Sequence, residues 1–164
     1  MAFDVDGTLT PGRLIFGPDG EAYKAFHVRD GMAFALAHRM GYKVGVITGR
    51  SSEIVSKRME ELKADFIEMN VSDKVAVLDS VRRRFGLSWE ETAFMGDDLN
   101  DLPLFSRCGY AGCPSDGCGE NREAADFLSS CAGGEGAARE FIETILKQQG
   151  RWQEAVSYFM NLSR

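Results

Sequence analysis

Short apolar runs alternate with longer stretches of mixed character along most of the chain. Residues 43–47 form a run that is too apolar for a surface strand, so we expect both of its faces to be covered. Shorter strands are predicted at residues 1–5, 66–69 and 92–95, and helical segments separate the strands. This alternation predicts an α/β fold with a doubly wound parallel sheet.

The predicted helices follow from turn and capping residues. We predict a helix over residues 29–40 with Asp30 as its N-cap and Gly41 just after its end. Ser52 is predicted to cap a helix over residues 53–62. The other predicted elements are a helix at 73–85 closed by Gly86, a helix to about residue 107, a short strand at 109–111, a loop at 113–119, a helix-to-strand passage at 124–128, a flexible break at 133–136, and helices at 137–149 and 152–162.

Residues 11–28 predict a small β-hairpin, because the turn sequence Gly17-Pro18-Asp19-Gly20 separates two apolar stretches. A segment of roughly twenty residues is too small for its own core, and a lone hairpin is marginal in water. We therefore expect one domain over residues 1–164, with a tail at about 133–164. The apolar hairpin residues need a covering surface, which we expect from other subunits, the alternative being the hairpin's own domain: Leu14, Ile15, Phe16, Tyr23 and Phe26.

Composition excludes several classes of protein. The 164 residues are 44% hydrophobic and 27% charged, as is usual for a globular domain. The net charge of -6 argues against a nucleic-acid partner. No apolar run is long enough to span a membrane and no signal peptide precedes Asp4, so we expect a cytoplasmic protein without a membrane partner. The four cysteines form no CxxC pair, which argues against a zinc site.

The stretch Asp4-Val5-Asp6-Gly7-Thr8 carries the strongest chemical signal. Alternating apolar residues place Asp4 and Asp6 at the end of a buried strand, and Gly7 allows a sharp turn. Ligand sites in such sheets lie beyond the strand ends. Two adjacent carboxylates repel each other and need a cation or a shared proton, and Mg²⁺ prefers oxygen ligands. The alternative is an aspartate-rich turn that binds nothing.

Three other strand ends carry polar groups. Thr48-Gly49-Arg50 lies between a strand and a helix N-terminus, a place that favours phosphate. Lys74 begins a helix, and taken alone it would be read as a solvated lysine. Because the helix dipole disfavours lysine at this position, its misplacement is nevertheless a reason to expect a function. The fourth strand ends in Gly96-Asp97-Asp98-Leu99-Asn100-Asp101. All four ends are predicted to meet at one edge of the sheet.

The pieces DVDGT, ITGR, DK and GDDLND resemble, in order and spacing, the four motifs of the haloacid dehalogenase phosphatase superfamily. The resemblance implies that Asp4 is the nucleophile that becomes an aspartyl-phosphate. It implies that Asp6 is the general acid and base. Asp4, the backbone carbonyl of Asp6, and Asp97 are then expected to hold Mg²⁺.

The same resemblance assigns roles to the remaining polar residues. Thr48 is expected to donate a hydrogen bond to the transferring phosphoryl group, and Lys74 to place a positive charge against it. Asp98 and Asp101 are expected to orient Lys74 and the waters around the metal.

The chain also resembles one capless branch of this superfamily over nearly its whole length, the phosphatases of 3-deoxy-D-manno-octulosonate (KDO) 8-phosphate. Matching segments include GEAYKAFHVRDG at 20–31, ITGRSSEIVSKR at 47–58, and GGEGAARE at 133–140. The resemblance implies an Mg²⁺-dependent homotetramer that serves the lipopolysaccharide inner core, with each active site completed by a neighbouring subunit. The implied contacts with the sugar-acid phosphate are His27, Val28, Arg29, Asp30, Gly31, Arg50 and Arg58.

Departures and alternatives bear on the substrate. His27 stands where members of the branch often have Asn, and Pro11-Gly12 where they have Asp-Gly. Related nine-carbon sugar acid 9-phosphate phosphatases tend to carry an acidic residue at the position of Arg50, so Arg50 favours KDO 8-phosphate. A receiver domain would not need an acid and base two residues after its phosphorylated aspartate. A catalytically idle scaffold would not need the full set of polar residues.

Overall fold

The computed structural model describes residues 1–161, so the last predicted residue of the helix at 152–162 and the end of the predicted domain lie outside the described residues. The elements, in chain order, are β1 (Ala2–Phe3), β2 (Ile15–Gly17), β3 (Gly20–Tyr23), α1 (Val28–Arg39), β4 (Gly45–Ile47), α2 (Glu53–Glu61), β5 (Phe66–Glu68), α3 (Lys74–Arg84), β6 (Ala93–Met95), α4 (Leu102–Phe105), β7 (Tyr110–Cys113), α5 (Gly119–Ala124), β8 (Phe127–Leu128), α6 (Ala137–Gln148) and α7 (Trp152–Met160). Within this part of the chain no helix combines the length and apolar character needed to cross a bilayer.

Six strands form one parallel sheet in the order β5-β4-β1-β6-β7-β8. The short strand β1 lies inside the sheet, where Phe3 pairs with Val46 of β4 and with Met95 of β6. Because the pairings in this sheet are parallel, the carboxyl ends of its strands meet at one edge. The predicted α/β fold with a doubly wound parallel sheet is confirmed, and it places the polar strand ends together.

Apolar side chains cover both faces of the sheet. On one face α1 and α6 pack together, and the ring of Phe3 lies 5.5 Å from that of Phe34 and 6.0 Å from that of Phe141. On the other face Phe94 contacts Phe105 at 6.3 Å between ring centres. Aromatic pairs at these separations add to the stabilisation that comes from burial alone. Two filled faces explain why the predicted strands are apolar without alternation.

The predicted helix cap at Ser52 is confirmed, and the one at Asp30 is wrong. Ser52 accepts from the backbone N–H of Val55 at 3.3 Å. Helix α1 instead begins at Val28, and Asp30 lies buried in its first turn. The Asp30 carboxylate accepts from the backbone N–H of Arg139 at 2.8 Å, so it joins α1 to the start of α6. A capping residue type indicates an acceptor near free N–H groups, but not which helix supplies them.

Two segments after residue 113 differ from prediction. A loop was predicted at 113–119 and a helix-to-strand passage at 124–128, whereas helix α5 already begins at Gly119 and ends at Ala124. The buried side chain of Asn121 anchors this helix by donating to the backbone carbonyl of Asp98 at 2.8 Å. The glycine segment at 133–136 is not a flexible break: Gly134 donates its N–H to the carbonyl of Thr8 at 2.9 Å. A Cβ at Gly133 would overlap the carbonyl of Gly7, so only glycine allows this segment to pack on the β1 loop.

The predicted hairpin is confirmed as a separate two-stranded antiparallel sheet of β2 and β3. Leu14, Ile15, Phe16 and Tyr23 are exposed, with Phe16 at 61% and Tyr23 at 71%, whereas Phe26 packs against the core of its own domain. Its polar side chains Glu21 and Lys24 instead contact the carboxyl edge of the large sheet. The hairpin segment therefore touches its own domain through charged groups and Phe26, and leaves its other four apolar side chains uncovered.

Candidate active site

The loop after β1 forms a tight turn at the carboxyl edge of the sheet. The backbone N–H groups of Thr8, Leu9 and Thr10 all donate to the carbonyl of Val5, at 3.0–3.3 Å. Gly7 has a φ of 106°, and a Cβ there would overlap the carboxylate of Asp97. The turn therefore needs glycine twice over, for its backbone conformation and for its contact with the β6 loop.

Lys74 lies at the centre of a buried charged cluster. Its Nζ lies 2.6 Å from Asp4 Oδ1 and 2.5 Å from Asp101 Oδ1. Helix α3 begins at Lys74 because Asp73 caps it, accepting from the N–H of Ala76 at 3.0 Å. Although burial disfavours the charged ammonium, the Asp4 and Asp101 carboxylates raise the pKa of Lys74. The lysine is therefore a buried cation and not a solvated side chain.

The carboxylates of Asp4, Asp97 and Asp101 each offer an oxygen within 4.8 Å of the others. Both oxygens of Asp101 are engaged, because Oδ1 accepts from Lys74 and Oδ2 from the backbone N–H of Asp97 at 3.1 Å. Thr8 orients Asp97 by donating to its Oδ1 at 3.1 Å. Asp4 and Asp97 thus keep oxygen atoms available for a cation.

Burial and mutual repulsion raise the pKa values of the carboxylates in this cluster. Burial, with repulsion from Asp101, raises the pKa of Asp4 well above its ordinary value, and Lys74 opposes the rise. Burial and the charge of Asp101 raise the pKa of Asp97 to about 6. Burial also raises the pKa of Asp101. Buried carboxylates that resist ionisation fit a hard divalent cation bound by oxygen ligands.

Asp6 is surrounded by cations from two directions. Lys24, after strand β3, forms an ion pair with Asp6 Oδ1 and lies 2.9 Å from Glu21 Oε1. Arg50 comes from the loop after β4, and its Nε lies 3.7 Å from Asp6 Oδ2. The Arg50 side chain is 44% exposed, whereas that of Lys24 is 1% exposed. Arg50 therefore stands at the mouth of the site and Lys24 in its wall.

Sequence reasoning missed Lys24 and Glu21. Both lie in the 20–31 segment that carries the family resemblance, and a lysine between Tyr23 and Ala25-Phe26 is an unusual polar residue in an apolar run. That pattern was the available signal. Thr8, which orients Asp97, was also not predicted as a site residue.

The predicted phosphate and metal residues come together at the sheet edge. Thr48 is buried at the end of β4, where its hydroxyl accepts from the N–H of Arg50 at 3.4 Å. The side chain of Asp98 is exposed and accepts from the N–H of Leu99, while its backbone carbonyl accepts from the N–H of Asp101 at 2.8 Å. Its predicted role as an orienting side chain stays a prediction.

The other predicted substrate residues lie in a different setting. Val28 and Arg29 are exposed. His27, Asp30, Gly31 and Arg58, together with Phe34, line a small cavity of about 10 Å³. Arg58 pairs with Glu61 at 2.9 Å, and its guanidinium lies 5.9 Å from the Phe26 ring centre. In the described chain Arg58 thus makes no contact with the Lys74 cluster, and its predicted role in binding sugar stays a prediction.

Comparison with known proteins places this geometry in a family. A family model described as haloacid dehalogenase-like hydrolase matches residues 66–141. The 3-deoxy-D-manno-octulosonate 8-phosphate phosphatase KdsC of Haemophilus influenzae is 36% identical over 148 residues, which are 90% of this chain and 82% of that protein. The chain belongs to the KDO 8-phosphate phosphatase family. The family predicted from the four motifs is confirmed.

Solved structures of KDO 8-phosphate phosphatases share the whole architecture. One from Moraxella catarrhalis, in complex with magnesium ion, phosphate ion and KDO, is 35% identical with a TM-score of 0.92, covering 96% of this chain and 91% of that one. The cobalt-bound enzyme of Haemophilus influenzae is 36% identical with a TM-score of 0.89, covering 92% and 88%.

Proposed function

We propose that the chain hydrolyses KDO 8-phosphate to KDO and phosphate through an aspartyl-phosphate on Asp4. The observation that carries this proposal is the buried contact of Lys74 with both Asp4 and Asp101 beside Asp97. These contacts support Asp4 as the nucleophile with charge partners beside it, and Asp6 follows two residues after Asp4. The relatives named for KDO 8-phosphate support the choice of substrate.

The chemistry divides between the two aspartates of the β1 loop. Asp4 attacks phosphorus, the bond from phosphorus to the sugar oxygen breaks, and protonated Asp6 gives its proton to the departing alkoxide. Asp6 then takes a proton from the water that attacks the aspartyl-phosphate, which releases phosphate and restores Asp4. Asp4, Asp97 and the Asp6 carbonyl would hold Mg²⁺, which would supply the positive charge that lets an anionic nucleophile approach an anionic phosphate.

Lys74 and Thr48 stabilise the transferring group in this proposal. Both are buried, with Lys74 at 5% and Thr48 at 3% exposure, so their interactions with phosphate act in a weakly screened environment. Asp101 fixes Lys74 from the other side, at 2.5 Å. The lysine therefore cannot turn away from Asp4 without breaking a second buried contact.

Arg50 is proposed to bind the carboxylate of the sugar acid. It is half-exposed at the mouth of the site, beside Asp6, and its guanidinium lies 6.0 Å from the ring centre of Phe16 on the hairpin. A planar guanidinium matches a carboxylate with two parallel hydrogen bonds. A nine-carbon sugar acid 9-phosphate is the alternative substrate, since it also carries a carboxylate.

The functional unit is proposed to be a cytoplasmic homotetramer. The uncovered apolar side chains Ile15, Phe16 and Tyr23 support assembly through the hairpins, because a patch of this kind is stabilised when a partner removes it from water. Each hairpin also reaches its own active site through Lys24. A neighbouring subunit would then complete the wall of a site that lacks a cap domain.

A phosphate-release assay across sugar phosphates with Mg²⁺ tests the function. We expect the highest kcat/KM with KDO 8-phosphate. Excess chelator should abolish phosphate release, and added Mg²⁺ should restore it. Faster turnover of a nine-carbon sugar acid 9-phosphate would favour the alternative substrate. Absence of release from every phosphomonoester, with Mg²⁺ present, would favour a scaffold. Light scattering at the assay concentration tests assembly, and an active monomer would contradict the tetramer.

A further inference from the structure

Lys24 is a buried lysine that the proposed mechanism does not yet use. It follows strand β3 of the hairpin, and its side chain is 1% exposed in the single chain. Its Nζ is paired with Asp6 Oδ1 and lies 2.9 Å from Glu21 Oε1. Burying an ammonium is costly unless it is paired, so this lysine is held by two specific carboxylates.

Glu21 is fixed in turn by the large domain. The hydroxyl of Ser52, which caps helix α2, donates to Glu21 Oε2. Although burial opposes it, the hydrogen bonds from Ser52 and Lys24 lower the pKa of Glu21, so the group is an anion at neutral pH. A continuous chain of contacts thus runs from the start of α2 through Glu21 and Lys24 to Asp6.

The burial of Lys24 argues against direct contact with substrate. A side chain with 1% exposure and two charged partners has no free face to offer a sugar phosphate. Arg50, by contrast, reaches the same carboxylate of Asp6 from a half-exposed position. The two cations on Asp6 therefore differ in role, one facing the entrance and one closing the wall behind it.

We propose that Lys24 is a positioning residue that holds the Asp6 carboxyl group in line with the leaving oxygen, and that Glu21 holds Lys24. This rests on the proposed function, because it takes Asp6 as the group that protonates the departing alcohol. Misplacement of such a group by about 1 Å can cost on the order of a hundredfold in rate. The hairpin would then act on chemistry directly and not only as an assembly surface.

The leaving group supplies the readout. An alkoxide such as that of a sugar needs a proton as it departs, whereas 4-nitrophenolate is stable without one. The parameter kcat/KM reports the steps up to departure of the leaving group. Lys24→Met should therefore lower kcat/KM for KDO 8-phosphate about a hundredfold, while 4-nitrophenyl phosphate changes by less than about tenfold.

The experiment compares these two substrates across four variants with Mg²⁺ present. Lys24→Met and Glu21→Gln are the test variants, Asp6→Asn is the reference for loss of the acid, and Lys57→Met is the control, because Lys57 is an exposed lysine on α2. We expect the same selective loss in Asp6→Asn, Lys24→Met and, more weakly, Glu21→Gln, and none in Lys57→Met. Light scattering and thermal unfolding show that assembly and fold are retained.

Equal loss on both substrates in a folded Lys24→Met, or no loss on either, would overturn the proposal. If Lys24→Met does not fold, Glu21→Gln carries the same comparison, since it keeps the lysine and removes one of its carboxylate partners. If Asp6→Asn fails to discriminate between the leaving groups, the acid role of Asp6 in the proposed function fails. If KDO 8-phosphate is not a substrate, the alkyl phosphate with the highest kcat/KM takes its place in the comparison.

Discussion

Two buried lysines divide the active site into a rigid half and a dependent half. Lys74 lies between Asp4 and Asp101, and Lys24 lies between Asp6 and Glu21. Lys74 is the first residue of α3, a capped helix packed on the large sheet. Lys24 directly follows strand β3 of the two-stranded hairpin, whose apolar side chains are largely exposed. The core thus positions Asp4, the proposed nucleophile, while Asp6, the proposed acid and base, is positioned by an element that the core alone does not secure.

Removing the charge of Lys74 should produce the largest effect, because it breaks the rigid half. Lys74→Met leaves the Asp4 and Asp101 carboxylates buried without their cation, which should lower the free energy of unfolding by about 3–5 kcal/mol. Phosphate release should fall by about 10² to 10³ on alkyl and aryl substrates alike, since phosphate itself loses a contact. Phosphate-release assays on both substrates check this, and release near the wild-type level would contradict it.

Arg50→Ala should separate substrate recognition from phosphate binding on the dependent half. A bidentate contact with a carboxylate is worth about 1.5–3 kcal/mol, so KM for KDO 8-phosphate should rise roughly ten- to a hundredfold. An uncharged aryl phosphate should be little affected, because Thr48 and Lys74 still hold its phosphate. Steady-state kinetics with both substrates decide the point. Equal losses would place Arg50 in the phosphate site and remove support for the sugar-acid assignment.

Disrupting the apolar face of the hairpin should weaken the dependent half without removing a charged side chain. Phe16→Ser with Tyr23→Ser removes two exposed aromatic side chains, at 61% and 71% exposure. We expect a smaller assembly and a loss in kcat/KM on the order of tenfold. The loss should come from misplacement of Asp6, because the contacts of Lys74 do not depend on the hairpin. Light scattering and kinetics check it, with Tyr158→Ser on α7 as an aromatic control away from the hairpin. A fully active tetramer would contradict it.

The smallest expected effect concerns the rigid half, where pH should change both the stability of the metal-free protein and the stabilisation by Mg²⁺. The pKa of Asp97 is raised from 3.8 to about 6 in the folded protein, so between these values the folded state holds a proton that the unfolded state releases. Stability of the metal-free protein should therefore fall as pH rises through this window. Mg²⁺ competes with that proton, so it should raise Tm by a few degrees more at pH 7.5 than at pH 5. An Mg²⁺ shift in Tm that is independent of pH would contradict this.

The polar strand ends could be predicted from sequence because each is a local pattern of apolar strand, tight turn and charged residue. Asp4, Thr48, Lys74 and Asp97 met at one edge simply because parallel strands end together. The order of strands within the sheet, by contrast, was not predicted, since pairing depends on contacts between distant segments.

Features that depend on a distant partner escaped prediction. The carboxylate of Asp30 bonds to a residue 109 positions away, which no local capping rule can specify. Lys24 looked like one of several hairpin residues, because only the folded chain shows that Asp6, 18 positions earlier, faces it. Gly133 looked flexible by composition, but its lack of a side chain is what allows close packing on Gly7. The local sequence indicates which backbone conformation a residue prefers, whereas its long-range contact partners depend on the topology of the whole fold.

The covalent step on Asp4 is tested most directly by trapping it. Asp6→Asn should form the aspartyl-phosphate but hydrolyse it slowly, so acid-quenched protein incubated with Mg²⁺ and a ³²P-labelled aryl phosphate should carry label. The double variant Asp4→Asn with Asp6→Asn should carry none. Label that is held by Asp6→Asn and lost in the double variant is the predicted result. Label that persists without Asp4, or near-normal phosphate release by Asp4→Asn alone, would contradict the account.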